Sequence, residues 1–386
     1  MLLSKGFEVE MYTGTADGRI VGLSDRITRD LPGFMREPDS RNVEYATAPH
    51  RSYERLICEL LKPRLALRNY LRAQPDGDYT ILPGSTLSLG DTSRFYRAAP
   101  DNPYHTYIAE TYGTSVVTAS IHINIGIPDP GVLIRVMRLI RLEAPLLLAL
   151  SASSPFLDGR LTDYDSTRWG LFPQVPSQMP PLFEDHAHFI RWTDEQLDRG
   201  TMYNARHLWM SARPNGERRP YDLNRLEVRI CDLVTNPLDL LAIAALLEMR
   251  VQQAIDDPSL DPLVCSDLPA GTRASDLLEI IQHNERAVSR TSLNATLRHW
   301  QDGREILARD WIAALYETVR PMARDRGIGC FLSPLRHILR DGNTSQQWRA
   351  QAERGESIAA ILQSASRMMA LQEQELEHKI CLTALA

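Results

Sequence analysis

In the stretch GFEVEMY, Gly6 to Tyr12, apolar and polar residues alternate, so a strand would put Phe7, Val9 and Met11 on one face and Glu8 and Glu10 on the other. Same-face neighbours on a strand lie roughly 6.6 Å apart. Carboxylates that close repel unless water or a cation lies between them. The same design recurs in TASIHINIG, where Thr118, Ser120, His122 and Asn124 oppose Ala119, Ile121, Ile123 and Ile125. It recurs again in LEVRICD, where Glu227, Arg229 and Cys231 oppose Leu226, Val228 and Ile230, and in NVEYA, where Glu44 lies between Val43 and Tyr45 with Asp39 five residues earlier. Solvated polarity favours Thr, Lys, Ser and Gln. These strands instead supply Glu8, Glu10, Glu44, Glu227, one His and one Arg, with no Lys among them. Carboxylate oxygens with one imidazole suit Mg²⁺ or Mn²⁺, and Mg²⁺ completes its shell with water and substrate phosphates. Arg229 beside such phosphates would stabilise a transferring phosphoryl group. The plainer alternative is a solvated sheet face crossed by salt bridges.

The elements that must position these residues divide along the chain. Up to about residue 255, short alternating segments mix with helices, separated by turns such as Pro-Gly (83–84), Pro-Asp-Pro-Gly (128–131) and Pro-Asn-Gly (214–216). Beyond Asp256-Asp257-Pro258 helical spacing takes over, at Ala308, Trp311, Ile312, Leu315 and Val319, then at Ile358, Ile361, Leu362, Ala365 and Met369. The expected organisation is an α/β catalytic core over 1–255 and a helical region over 256–386 packed on it, the polar linker DDPSLDP marking the boundary.

Composition narrows the function class. The 386 residues carry a net charge of −6, which argues against a general nucleic-acid binder. The apolar stretch Val132 to Leu150 is interrupted by Arg135, Arg138, Arg141 and Glu143, and Leu240 to Met249 is too short to span a bilayer. Both read as buried or amphipathic helices, so no membrane partner is expected. Five cysteines without a CxxC pair suggest neither a zinc site nor a disulfide framework. With no signal-peptide pattern at the start, a reducing cytoplasm is the expected location. There is no GxxxxGK[ST] loop, no dinucleotide fingerprint around Gly327-Ile328-Gly329 and no GxSxG elbow. Carboxylate-held metals would then do most of the phosphate binding.

GFEVEMY, DSRNVEYATAP, TASIHINIG, LALSASSPFLDGR with STRWG, and LNRLEVRICD, followed by HNERAVSR and QQWRAQAERGESIAAIL, stand in an order and spacing that resemble the carboxylate–amine ligases related to glutamate–cysteine ligase, in their cyanobacterial type. The resemblance runs nearly end to end. It implies an α+β, glutamine-synthetase-like fold: a curved, mainly antiparallel sheet with a polar active-site face, backed by helices, and a helical C-terminal third. It implies ATP-dependent joining of the glutamate γ-carboxylate to the cysteine amine, with L-glutamate, L-cysteine and ATP as substrates. Glu8, Glu10, Glu44, His122 and Glu227 match the family's metal-binding positions, Asp39 lies near that of a further acid, and Glu227 and Arg229 match its late Glu-x-Arg. Glu8, Glu10, Asn124 and Arg229 are thereby placed at ATP.

Glutamate brings an α-carboxylate that calls for a bidentate arginine. Arg168 and Arg213 are the candidates, each equally readable as an ordinary ion pair. Ser151 to Ser154 are read either as amino-acid recognition, Ser151 first, or as a self-capping helix end. Glu184, His186 and His188 in EDHAHF are read as a second metal site or as polar surface, and Cys231 as an oxidation-sensitive thiol or a small buried hydrophobe. Two rival functions stand beside the ligase: a γ-glutamyl ligase for another amine, and a non-catalytic binder of nucleotide or amino acid. The sequence leaves the choice between monomer and homodimer open.

Overall fold

The computed structural model describes residues 1–99 and 101–381. Its centre is a seven-stranded, antiparallel sheet. The strands are β1 (Lys5–Thr15), β2 (Phe34–Arg36), β3 (Asn42–Ala46), β4 (Tyr79–Leu82), β5 (Ile121–Gly126), β6 (Ala212–Asn215) and β7 (Arg225–Val228). Their order is β2-β3-β1-β5-β7-β6, and β4 pairs with the far end of β1. The apolar sides expected from alternation are all inside: Phe7, Val9, Met11, Val43, Tyr45, Ile121, Ile123, Ile125, Leu226 and Val228 are at most 1% exposed.

The helices around the sheet, most of them behind its apolar face, are α1 (Tyr53–Arg72), α2 (Pro103–Tyr112), α3 (Pro130–Ser151), α4 (Thr167–Leu171), α5 (His186–Asp198), α6 (Pro237–Asp256), α7 (Arg273–Thr291), α8 (Ala308–Asp325) and α9 (Ile358–Leu376). Of these, α2 and α4 border the opposite, polar side. The Pro-Asp-Pro-Gly turn becomes the start of α3, where the Asp129 carboxylate caps the Val132 N–H and Pro130 needs no hydrogen bond of its own. Most of α3 is buried, and its charges have fixed partners: Arg138 forks onto Asp261, Arg141 donates to the Pro181 carbonyl, and Glu143 takes Arg250 and the Trp300 N–H. No helix among the described residues is long and apolar enough to cross a membrane.

The helical spacing beyond residue 256 is borne out in α8 and α9. The segment DDPSLDP is held down, because its Asp261 pairs with Arg138 of α3. Helix α7 packs on α3, α8 on α6, and α9 on α1, within a core cluster that runs from Phe7 to Met369.

One expectation is overturned. Cys58 on α1 and Cys381 beyond α9 form a disulfide. Their separation of 323 residues leaves no spacing motif to read; only the packing of the C-terminal helix against α1 brings the thiols together. Cys231, Cys265 and Cys330 are free.

Candidate active site

The register of the sheet builds the site. Glu10 lies opposite Glu44, Glu8 opposite His122, Asn124 opposite Glu227, and Glu227 opposite Arg213. Directly opposed residues in an antiparallel pair have their Cβ atoms about 5 Å apart on the same face. A polar row therefore crosses five strands, from β3 through β1, β5 and β7 to β6. It floors a cavity of about 390 Å³.

The row is acidic at one end. The imidazole Nδ1 of His122 lies 2.9 Å from Glu8 Oε2 and 3.7 Å from Glu227 Oε1, and Nε2 lies 3.7 Å from Glu10 Oε1. Asn124 donates to Glu8 Oε1 (3.1 Å) and Ser120 to Glu10 Oε2 (2.7 Å). One donor atom each from Glu8, His122 and Glu227 fall within 4.8 Å of one another, the one such group among the described residues. Two carboxylates and an imidazole converging at that distance fit a divalent cation, whose charge would offset theirs. Burial opposes the charge on Glu8, but the hydrogen bond and charge of His122 prevail and hold its carboxyl below the usual range.

The sequence reading missed one acid. Glu37, in the loop after β2, reaches the cavity and shares a hydrogen bond with Glu44. Burial, together with the charges of Glu10 and Glu44, pushes the Glu37 carboxyl well above its ordinary value, and Glu44 is raised for similar reasons. Two carboxyls that share a hydrogen bond this way form a pocket for a proton or a cation. Asp39, singled out from sequence, does something else: it is buried and accepts from Arg41 Nε (2.8 Å) and Nη2 (2.9 Å) and from the backbone N–H groups of Arg41 and Tyr96.

The other end of the row is basic. Glu227 is fully buried and takes Arg213 bidentately (2.7 and 2.9 Å), Arg229 Nη1 (2.7 Å) and Asn215 (2.7 Å). Burial alone would raise its carboxyl; Arg213 and Arg229 reverse that and hold it well below the usual range. Arg213 spends its remaining donor on the carbonyls of Arg206 and Leu208. Arg168 also borders the cavity, with its Nε on Asp232 (2.8 Å) and its Nη2 on the Ile230 carbonyl. Both expected carboxylate clamps thus stand at the site with most of their donors already engaged.

Ser151 ends α3, buried beside Cys231 and away from the cavity wall. Ser154 Oγ and the Ser153 N–H bond Asp232 rather than cap their own helix. Burial pushes the Cys231 thiol up to about 12, as befits a small buried hydrophobe. His186 and His188 begin α5, His186 Nε2 lies 2.8 Å from the Pro220 carbonyl, and neither joins a metal-binding group among the described residues.

An aromatic wall, unforeseen from sequence, closes the cavity: Tyr104 from α2, Trp169 and Phe172 from α4 and its exit, and Trp209 before β6, with the Met210 thioether beside it. Behind it, buried His207 accepts the Tyr203 N–H at Nδ1 (3.1 Å), so its Nε2–H faces the Tyr112 hydroxyl (3.1 Å). Burial lowers this imidazole to about 4, against an ordinary value near 6.5. A His that charges more readily unfolded than folded draws stability away as pH falls from about 6.5 to 4, with a slope reaching about 1.4 kcal/mol per pH unit. In urea unfolding followed across this window, His207→Phe should fall less steeply than wild type; parallel slopes would refute the assignment.

Comparison with known proteins places residues 4–364 in a match to the model of glutamate–cysteine ligase family 2. A protein of Rubrobacter xylanophilus named "Putative glutamate--cysteine ligase 2-1" is 28% identical over 349 residues, covering 88% of this chain and 86% of its own. A protein of Sorangium cellulosum named "Putative glutamate--cysteine ligase 2" is 31% identical over 243 residues, 63% of this chain and 61% of its own. Among solved structures, glutamate–cysteine ligase of Francisella tularensis in complex with AMP aligns with a TM-score of 0.71 at 14% identity, covering 100% of this chain and 94% of that one. The bifunctional glutathione synthetase of Pasteurella multocida aligns with a TM-score of 0.71 at 14% identity, over 98% of this chain and 53% of that one. At such identity the likeness is one of fold.

Proposed function

The chain belongs to glutamate–cysteine ligase family 2, and on that footing we propose that it joins the γ-carboxylate of L-glutamate to the amine of L-cysteine at the expense of ATP, the first step of glutathione synthesis. The observation that carries this reading is the single polar row facing one cavity, with the acids of β3 and β1 at one end, His122 and Asn124 of β5 in the middle, and Glu227 with the arginines of β7 and β6 at the other. A carboxylate does not condense with an amine unaided, because its leaving group would be oxide or hydroxide. In the proposed reaction a γ-carboxylate oxygen attacks the γ-phosphorus of ATP, the bond to ADP breaks, and the cysteine amine then displaces phosphate from the acyl carbon. Glu8, Glu10, Glu44, His122 and Glu227, joined by Glu37, would hold Mg²⁺ or Mn²⁺, which when bound neutralises phosphate charge. Arg229, steadied by Glu227 at 2.7 Å, faces the same space and would stabilise the transferring phosphoryl group. Asn124 orients Glu8.

The aromatic wall supports a second reading, a γ-glutamyl ligase whose acceptor amine carries a larger apolar side chain than cysteine. One experiment addresses both: ADP release from Mg-ATP with glutamate alone, with cysteine alone and with the pair, repeated with 2-aminobutyrate and with bulkier amines, each product weighed by mass spectrometry. Release that needs both amino acids and yields γ-glutamylcysteine is the expected result. Faster turnover with a bulky amine would shift the acceptor. No release with any amine, from folded protein that binds Mg-ATP, would overturn the ligase reading in favour of a binding role.

A further inference from the structure

A second recess, of about 450 Å³, lies between α4 and α7. Trp169 and Phe172 wall both it and the catalytic cavity, so α4 and its exit partition the two spaces. One side of the recess is aromatic: Tyr164, Trp169 and Phe172 all stand half-buried rather than packed into the core. The Tyr164 ring is seated on Gly170, where a Cβ would fall 2.6 Å from it, and the Arg290 guanidinium lies over that ring at 5.2 Å. The other side is a polar stripe of α7, Gln282, Arg286 and Arg290, spaced four residues apart and so on one helix face. Arg286 Nε donates to the Gln282 carbonyl (3.0 Å), and neither arginine has a carboxylate partner among the described residues. Like charges one helical turn apart repel, so an anion between them would be favoured. The recess holds one acid, Glu285, which is buried; burial pushes its carboxyl above the ordinary value against the opposing charge of Arg141.

We propose that the recess between α4 and α7 is a second binding site, for a small ligand that joins a flat ring to an anionic group, phosphate or carboxylate, with the ring against Trp169 and Phe172 and the anion against Arg286 and Arg290. Exposed aromatic faces take the ring, and guanidiniums without acids of their own take the anion. The volume suits a nucleoside monophosphate or an aromatic acid. The site does not depend on the ligase reading.

The test is calorimetry on the full-length protein with Mg²⁺ and a saturating non-hydrolysable ATP analogue, so that the catalytic cavity is filled. The probes are AMP, indole-3-acetate and, as an anion without a ring, inorganic phosphate. Wild type should bind one molecule of AMP or of indole-3-acetate per chain, and phosphate at least about tenfold more weakly. Arg286→Gln and Arg290→Gln, both at exposed positions, should each weaken the bound probe about tenfold, the loss of a charge-assisted bond, with Tm and analogue affinity unchanged. Binding of AMP alone identifies a phosphate ligand, and of indole-3-acetate alone a carboxylate. The proposal is overturned if neither ring-bearing probe binds, if phosphate binds as tightly as they do, or if both variants bind the probes as wild type does. Failure of the ATP analogue to bind would count against the ligase reading alone, since the two arginine variants would still decide the site.

Discussion

Glu8→Gln should fold like wild type and turn over roughly a hundredfold or more slowly. The two halves of that expectation come from opposite faces of β1. Strand identity and packing rest on Phe7, Val9 and Met11, all at most 1% exposed, and on backbone pairing to β3 and β5. Glu8 contributes to none of this, since its carboxylate points into the cavity, where Oε2 meets His122 and Oε1 meets Asn124. Glutamine keeps the shape and one acceptor but removes the charge from the set of donor atoms within 4.8 Å that Glu8 forms with His122 and Glu227. A hard cation held by fewer charges binds less tightly and neutralises phosphate less well, so the apparent KM for Mg²⁺ should rise as kcat falls. Steady-state rates over a Mg²⁺ series, with Tm as the folding control, decide it. Unchanged kcat at every Mg²⁺ concentration would remove Glu8 from the metal site.

Alternation alone placed Glu8, Glu10, Glu44, His122, Asn124 and Glu227 on the covered sheet's open face, because the pleat has period two wherever one side is buried. What alternation does not contain is register. That Glu8 faces His122 while Glu227 faces Arg213 depends on pairings between segments more than 100 residues apart or joined by a long loop. Glu37 escaped for a related reason: it follows a three-residue strand and enters the cavity from a loop, where no period announces a side chain's direction. Its neighbour Asp39, equally acidic, turns inward to Arg41. The aromatic wall is drawn from α2, α4 and the approach to β6, so its members share no stretch of sequence. Motif order carried more of the expectation than any single motif did, since each motif is short and only their arrangement on one sheet brings the side chains together.

Asp232→Ala should cost about 3–5 kcal/mol of stability, as much as any single change near the site. Asp232 is fully buried and its carboxylate is saturated: Oδ2 accepts from the Ser153 N–H (2.9 Å) and Ser154 Oγ (2.7 Å), and Oδ1 from Ser166 Oγ (2.8 Å) and Arg168 Nε (2.8 Å). These partners tie the end of α3, the start of α4 and the strand exit after β7 into one knot behind the cavity. Removing the carboxylate leaves the Arg168 guanidinium, itself 3% exposed, with carbonyl partners and no counter-charge. The cost should therefore sit mainly in the orphaned cation. Arg168→Met in the Asp232→Ala background should recover part of the loss, because an uncharged side chain of similar length needs no partner there. Urea midpoints for wild type, both single variants and the double variant close the cycle. If the two losses simply add, Arg168 has its stabilising partner elsewhere, and its place at the cavity wall would then argue for a ligand in that role.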